Sequence, residues 1–475
     1  MTEKKTQVAV IGAGPGGYAA AFLAADMGLD VTLIDPAENP GGVCLYRGCI
    51  PSKALLHLAR LINEAAEADR WGVSFGKPKI DIGKMRQWKA GVVDALTGGL
   101  GRLVTQRKID HRRATAEFSD ARTLKLTDAE GNTTPLEFEN AILATGSRAA
   151  EIPIFTSESN RVWNSKKALD LETVPKTLLV VGGGYIGLEM GSVYAALGSK
   201  VTVVEMLPHL LAGADRDLVR FLTKALKDRF ESILLNTTVT DAKVQKNGVM
   251  VTFRNQDEEP EKRLFQRVLV AVGRRPNTDG LGLSEIGVTL DEDGFAKIDP
   301  HCRTTVEGIF AIGDAAGQPM LAHKAAYEAR IAVENIAGRN VIADPVAIPA
   351  VVFTDPEVAW TGLTESAAKE KGMEVAVTRF PWAASGRAVT LGRGDGLTKL
   401  VIDPQTEHLL GVGIVGPGAG ELIAEATLAM EMGANATDVG LTIHPHPTLS
   451  ETFKEAADIL HGTATHYYRP KRKKK

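Results

Sequence analysis

The sequence predicts an α/β chain: two units built on one plan around parallel strands, followed by a smaller α+β unit. Two observations carry this expectation. Residues 8–17 (VAVIGAGPGG) return as residues 178–187 (LLVVGGGYIG), an offset of 170 positions, and the match continues through Gly28 and Gly198, Val31–Ile34 and Val201–Val204, and Asp35 and Glu205. Beyond about residue 348 the pattern changes to short strands (Ala350–Phe353, Lys399–Ile402, Leu409–Val415) alternating with helical runs (Glu421–Met432, Glu451–Leu460). At 475 residues there is room for three or four domains of ~100–200 residues each.

Composition narrows the class. Apolar residues make up 44% and charged residues 24%, which excludes a disordered or coiled-coil chain. The net charge of −3 argues against a nucleic-acid partner, and it becomes −9 once the six basic side chains of Arg469–Lys475 are set aside. That tail reads as a solvated, disordered end, with docking to a polyanion as the alternative. The uncharged run Val8–Ala25 follows Lys4 and Lys5, but Gly12, Gly14, Pro15, Gly16 and Gly17 would break a spanning helix, so no membrane span is expected. With no other targeting pattern, a cytoplasmic location is expected.

Each repeat reads as strand, G-x-G-x-x-G, alanine-rich helix, glycine, strand, acid, which is the plan of a Rossmann-like dinucleotide-binding domain. In the first copy Gly12 makes the tight turn, Gly14 lets backbone approach a pyrophosphate, and Gly17 lets the helix pack on the strand; Gly182, Gly184 and Gly187 do the same in the second. The helix N-terminus favours the anion. Asp35 and Glu205 each stand 23 positions after the first glycine and can accept hydrogen bonds from ribose hydroxyls. A lone motif of this kind can be an ordinary glycine turn; two copies with matched acids indicate two dinucleotides. Glu205 would repel a 2′-phosphate, and Met206–Gly213 holds no Arg or Lys, so the second site is expected to take NAD rather than NADP.

Only three cysteines are present, Cys44, Cys49 and Cys302, so a disulfide scaffold and an all-sulfur zinc site are excluded and no metal is expected. Cys302 reads as a buried apolar side chain. The C-x4-C pair could be two buried thiols, but it directly follows a dinucleotide half-site, and a persistent disulfide in a reducing compartment is more often catalytic. Nicotinamide moves a hydride and a thiol–disulfide couple moves two electrons; a flavin connects them. The first site is therefore expected to hold FAD. Pro51 suits a helix beginning near Cys49, whose N-terminus would stabilise a thiolate, with Lys53 one turn on.

These residues, with Gly41–Lys53, Ala144–Ser147, Gly182–Glu189, Ala271–Asn277, Ile309–Asp314, Phe353–Ala359 and His444–Glu451, resemble the flavoprotein disulfide reductases over nearly the whole chain. The resemblance implies that Cys44 exchanges with substrate and Cys49 lies nearest the flavin as a charge-transfer thiolate. It implies that Lys53 and Glu189 pair beside the flavin, and that Ala116, Gly146, Asp314 and Ala322 contact FAD while Val239 and Gly273 contact NAD. A helix beginning at Ala322 would face the pyrimidine end of the ring. His446, oriented by Glu451, would be the proton acceptor and would come from the second subunit of a homodimer; His444 reads as structural. The implied activity is NAD-dependent oxidation of dihydrolipoyl groups on the acyltransferase component of a 2-oxo acid dehydrogenase complex. Alternatives are a glutathione-type reductase, disfavoured by Glu205, and a non-catalytic docking or redox component. Val43, Tyr46, Arg47, Pro445 and Asp35 depart from the commonest family wording, which leaves fine substrate preference open.

The expected organisation is an FAD-binding part at 1–147, an NAD-binding domain at 148–277, a return to the FAD or central domain at 278–347, and an α+β dimerisation domain at 348–475.

Overall fold

The computed structural model describes residues 5–155, 159–255 and 259–468, so the basic run Arg469–Lys475 lies outside the described residues. The first unit is a seven-stranded sheet. Strands Asp110–Arg112, Val31–Ile34, Lys5–Ile11 and Thr133–Leu143 run parallel in that order, and the stretches Val8–Ile11, Val31–Ile34 and Ala141–Leu143 at its centre are fully buried, as in a sheet covered on both faces. The long strand Thr133–Leu143 divides its outer edge: its first half pairs antiparallel with Thr123–Thr127, and its end pairs parallel with Ile309–Ala311. A segment more than 160 residues downstream is thus threaded back into the first sheet, where Ile309–Ile312 reads as a buried strand closed by Gly313.

The second unit repeats the plan with five parallel strands in the order Ser232–Leu234, Lys200–Val204, Thr177–Val181, Arg267–Val270 and Val162–Trp163. A three-stranded antiparallel sheet, Thr237–Gln245, Gly248–Asn255 and Glu261–Phe265, is added to it. The two chain crossings between the units pair with each other, Ser147–Ala149 against Arg274–Pro276. The C-terminal unit is a five-stranded antiparallel sheet. Three of its strands were expected from sequence, and Glu357–Gly362 and Ala376–Pro381 complete it. Helices Ala419–Glu431 and Glu451–His461 pack apolar faces on this sheet around Phe380, Trp382, Ile414 and Phe453.

Both glycine turns close in the same way. Helix Pro15–Asp26 starts at Gly14 and helix Tyr185–Ala196 at Gly184, and neither start carries a side-chain cap. Gly12 has φ +96° and Gly182 has φ +107°, and a Cβ at either would lie 2.4 Å from the carbonyl oxygen of Ala144 or Ala271 on the neighbouring strand. A Cβ at Gly17 would lie 1.8 Å from the Gly12 carbonyl oxygen, so helix and turn meet with no room for a side chain. Gly17→Ala should therefore cost about 1–3 kcal/mol of stability from overpacking against backbone. Urea unfolding checks this: the midpoint should fall with an unchanged m-value, and an unmoved midpoint would remove this close approach as a constraint.

Candidate active site

The short helix Gly42–Arg47 carries Cys44, and Cys49 opens the helix Cys49–Glu67. Gly48 joins them in a fold-back so tight that a Cβ there would stand 2.8 Å from the Val43 carbonyl oxygen and 3.3 Å from the Cys44 Cα. Both cysteines are free thiols, close enough for each to shift the other's ionisation. Their interaction sorts them: Cys44 has its pKa pushed up, while Cys49 is brought down to about 7. The Lys53 charge assists at Cys49, and burial and the Glu189 carboxylate oppose it.

Both cysteines line a cavity of ≈ 440 Å³ together with Gly12, Gly14, Asp35, Lys53, Ala116, Gly146, Glu189, Asp314 and Ala322. A Cβ at Gly14 would meet nothing nearer than 4.0 Å, so the middle glycine faces the open cradle while its helix start lacks a cap. This is the arrangement that receives a pyrophosphate. Helix Ala322–Ile336 also begins uncapped at the cavity wall, and Ala116 lies in strand Thr115–Asp120. The residues present thus fit FAD.

A second cavity of ≈ 700 Å³ is lined by Gly182, Gly184, Glu205, Val239 and Gly273. Nothing lies within 4 Å of a Cβ built on Gly184. Arg274 is the only Arg or Lys in the described lining, and burial, with the Arg216 charge, lowers the pKa of His209, so the lining offers little positive charge for a 2′-phosphate beside Glu205. Gly17 and Gly187 line neither cavity as bulk would; they act through packing, Gly187 with a Cβ position 2.3 Å from the Gly182 carbonyl oxygen. Tyr185, Ile186, Arg274 and Met320 line both cavities and stand between them.

The two acids do something the sequence did not reveal. Asp35 accepts the Ala13 and Ala37 N–H groups at 2.8 and 2.9 Å. Glu205 accepts those of Gly183 and Leu207 at 2.7 and 2.8 Å. Each acid thereby braces its own glycine turn, and the repeat extends to its hydrogen bonds.

Lys53 Nζ lies 2.9 and 3.1 Å from the two carboxylate oxygens of Glu189, which is 2% exposed. The Phe353 N–H donates to Glu189 at 3.0 Å, and the Lys53 ammonium sits 4.6 Å from the centre of the Phe353 ring. Asp314 is hydrogen-bonded by the Ser147 hydroxyl, which also receives Arg274 Nε at 2.7 Å. Behind it, the buried Lys324–Glu328 pair holds the Gly313 turn: Glu328 accepts the Gly313 N–H at 2.7 Å and Lys324 donates to the Gly313 carbonyl at 3.2 Å. Sequence reasoning missed Phe353, Tyr185, Arg274 and this pair. Lys324 and Glu328, four apart on a helix, carry the spacing of an ordinary surface ion pair, whereas Tyr185 and Arg274 lie inside the motifs that were legible.

His446 Nδ1 is 2.9 Å from Glu451, whose other oxygen accepts the Thr448 N–H at 2.8 Å. Within one chain this pair is not brought to the cysteines: the His446 side chain is 70% exposed on the C-terminal unit and lines neither cavity. His444 is 4% exposed and fixed by Glu425 at 2.8 Å. Cys302 is fully buried, its thiol pushed up to about 12 by that burial.

Residues 6–329 match the family described as pyridine nucleotide-disulphide oxidoreductase, and residues 348–457 match its dimerisation domain. Dihydrolipoyl dehydrogenase of Vibrio cholerae is 46% identical over 473 residues, covering 100% of this chain and 99% of the relative. That of Haemophilus influenzae is also 46% identical, covering 100% and 98%. The crystal structure of LpdA from Mycobacterium tuberculosis superposes with a TM-score of 0.88 at 28% identity, covering 96% of this chain and 99% of that one.

Two outcomes follow from the geometry. Gly184→Ala should leave the unfolding midpoint near the parent's while raising the KM for NAD about tenfold or more, by occupying the open cradle; equal KM values would show that the cradle is not used. In the reduced protein, the Cys49 thiolate should form with a midpoint of about pH 7. Lys53→Met should move that midpoint up, measured by mass mapping of alkylation rates against pH, and an unmoved midpoint would remove Lys53 as its cause.

Proposed function

The chain belongs to the pyridine nucleotide-disulphide oxidoreductase family, and from that premise we propose that it oxidises dihydrolipoyl groups with NAD. The observation that carries this is the meeting of an interacting cysteine pair and an uncapped glycine cradle in one cavity, with a second cradle adjoining it through Tyr185 and Arg274. FAD, held by the first cradle, Asp314 and the Ala322 helix start, supplies a two-electron link between a dithiol and the nicotinamide of NAD.

The remaining steps belong to the chain's own residues. His446 takes a proton from one thiol of the substrate, and Glu451 orients the imidazole and offsets its charge. The substrate thiolate attacks Cys44 Sγ; the Cys44–Cys49 bond breaks, a mixed disulfide forms at Cys44, and Cys49 leaves as thiolate. Lys53 and the N-terminus of helix Cys49–Glu67 stabilise that leaving group. The second substrate thiol then displaces Cys44, giving the oxidised substrate; His446 passes its first proton to the departing Cys44 sulfur and takes up the proton of the second thiol, so that one proton rests on Cys44 and one on His446. Two electrons have passed from the substrate dithiol to the cysteine pair.

The exposed position of His446 supports a site shared between two copies, each supplying the base to the other's cysteines, with residues 348–475 as the dimerising unit. We divide the rest of the chain at 147, 277 and 347. The lipoyl-bearing acyltransferase component of a 2-oxo acid dehydrogenase complex is the proposed partner. A cytoplasmic location suits a thiol pair that must cycle, and no helix among the described residues is long and apolar enough to cross a membrane.

Dihydrolipoamide turnover with NAD tests the assignment. Cys49→Ser should abolish it, and His446→Gln should lower kcat by about 10²–10⁴-fold. NADP should give kcat/KM more than about tenfold below NAD, from like-charge repulsion at Glu205. Co-expressing Cys44→Ser with His446→Gln chains should restore turnover that neither has alone, since one mixed dimer contains one intact site; no restoration would sink the shared site.

A further inference from the structure

Phe353 lies in neither cavity, yet two of its groups address the Lys53–Glu189 pair. Its ring lies against the ammonium at 4.6 Å, and its N–H donates to the carboxylate at 3.0 Å. It belongs to the segment after strand Ala350–Val352 of the C-terminal unit, whereas Lys53 and Glu189 come from helices Cys49–Glu67 and Tyr185–Ala196. We infer that Phe353 is a positioning residue: its ring holds the Lys53 ammonium against Glu189 and so fixes how strongly that charge is felt at the Cys49 sulfur. The inference rests on the reading of Cys49 as the flavin-side sulfur.

The geometry gives the direction. The Lys53 side chain is 31% exposed, so it has a route outward into water. An aromatic face attracts an ammonium, and a leucine in its place would still fill space but would not. Once the ammonium swings outward its field at Cys49 is screened, and the thiolate loses support. The other groups facing Cys49 are Cys44 on helix Gly42–Arg47, Glu189 and Tyr185 on helix Tyr185–Ala196, and Tyr18 on helix Pro15–Asp26. Of these only Glu189 meets residue 353, through the backbone N–H, which a side-chain substitution there retains. Nearby Asp355 is engaged by Arg229 and Arg393, so it does not report to the sulfur directly.

The test uses the FAD-loaded full chain with Cys44→Ser, in which Cys49 is the remaining thiol of the pair. A thiolate beside oxidised flavin gives a long-wavelength absorbance band, and its pH midpoint reads the Cys49 ionisation. Phe353→Leu should raise that midpoint by roughly half a unit, and Phe353→Tyr should leave it at the parent value because the ring is kept. Should the leucine variant fail to fold, Phe353→Met carries the same expectation. A leucine or methionine variant with the parent midpoint would overturn the inference, as would a tyrosine variant shifted as far as leucine. Turnover of dihydrolipoamide by the chain with both cysteines intact is measured alongside: an inactive two-cysteine chain with a ring-dependent midpoint in the Cys44→Ser series would sink the proposed substrate and leave the role of Phe353 standing.

Discussion

The molecule depends on one ion pair. Lys53 and Glu189 stand 136 positions apart, on the helix that opens with Cys49 and on the helix that follows the second glycine turn, and they meet in the wall of the first cavity. A carboxylate that is 2% exposed is costly to desolvate, and its cost is offset only when its lone pairs are filled. Here they are filled by the two contacts from Lys53 and by the Phe353 N–H. Three units of the chain therefore have to be in register for one charge to be satisfied. Removing one partner of such a pair leaves the other buried and uncompensated, an effect of about 3–5 kcal/mol. Both members of the pair also act on the Cys49 thiol, Lys53 lowering its pKa and Glu189 raising it, so an interaction that joins the units also bears on the chemistry.

Two further charge clusters hold the C-terminal unit in the same register. Lys399, 1% exposed, reaches Asp215 at 2.9 Å and Asp217 at 3.0 Å at the start of helix Arg216–Arg229. Asp215 in turn accepts the Glu365 and Ser366 N–H groups at 3.0 and 3.1 Å. At the other end of that helix, Arg229 meets Asp355 at 2.8 Å and Glu67 at 3.3 Å, and Arg393 joins the same acids. Glu67 ends the helix that begins with Cys49. The cysteine helix is thus anchored at both ends, by Lys53 near its start and by Glu67 at its end, against partners from other units. Buried pairs of this kind specify an arrangement more than they stabilise it, because the desolvation they require is large.

Local features were legible and long-range ones were not. The glycine turns, their acids, the cysteine helix and the return strand at Ile309 each follow from spacing or from an apolar run, which are properties of neighbouring residues. The antiparallel sheet Thr237–Phe265 escaped the reading: Thr237–Gln245 and Glu261–Phe265 carry mostly polar, exposed side chains, and only Gly248–Asn255 between them is largely buried. Asp35 and Glu205 were legible as acids at the right offset, yet their bracing of Ala13 and Gly183 depends on backbone N–H directions that no spacing encodes. Phe353 was legible as part of a motif, but its contact with Lys53 joins positions 300 apart and exists only once the C-terminal unit has docked.

The placement of His446 carries the last step. In the proposed mechanism the base takes a proton from a substrate at Cys44 and has to lie at the cysteine cavity, whereas in one chain the His446 side chain is exposed, 2.9 Å from Glu451, and lines neither cavity. Around it the C-terminal unit leaves Leu441 and Ile443 78% and 94% exposed, apolar side chains that a lone chain has no reason to present to water. A base without its acceptor site and an apolar surface without its cover have one common resolution, a second copy of the same unit. In the proposed dimer the burial of that surface and the completion of the site are the same event. Activity then scales with association: dilution below the dimer dissociation constant removes the base from the disulfide while both cradles, the cysteine pair and the Lys53–Glu189 contact stay intact within each chain.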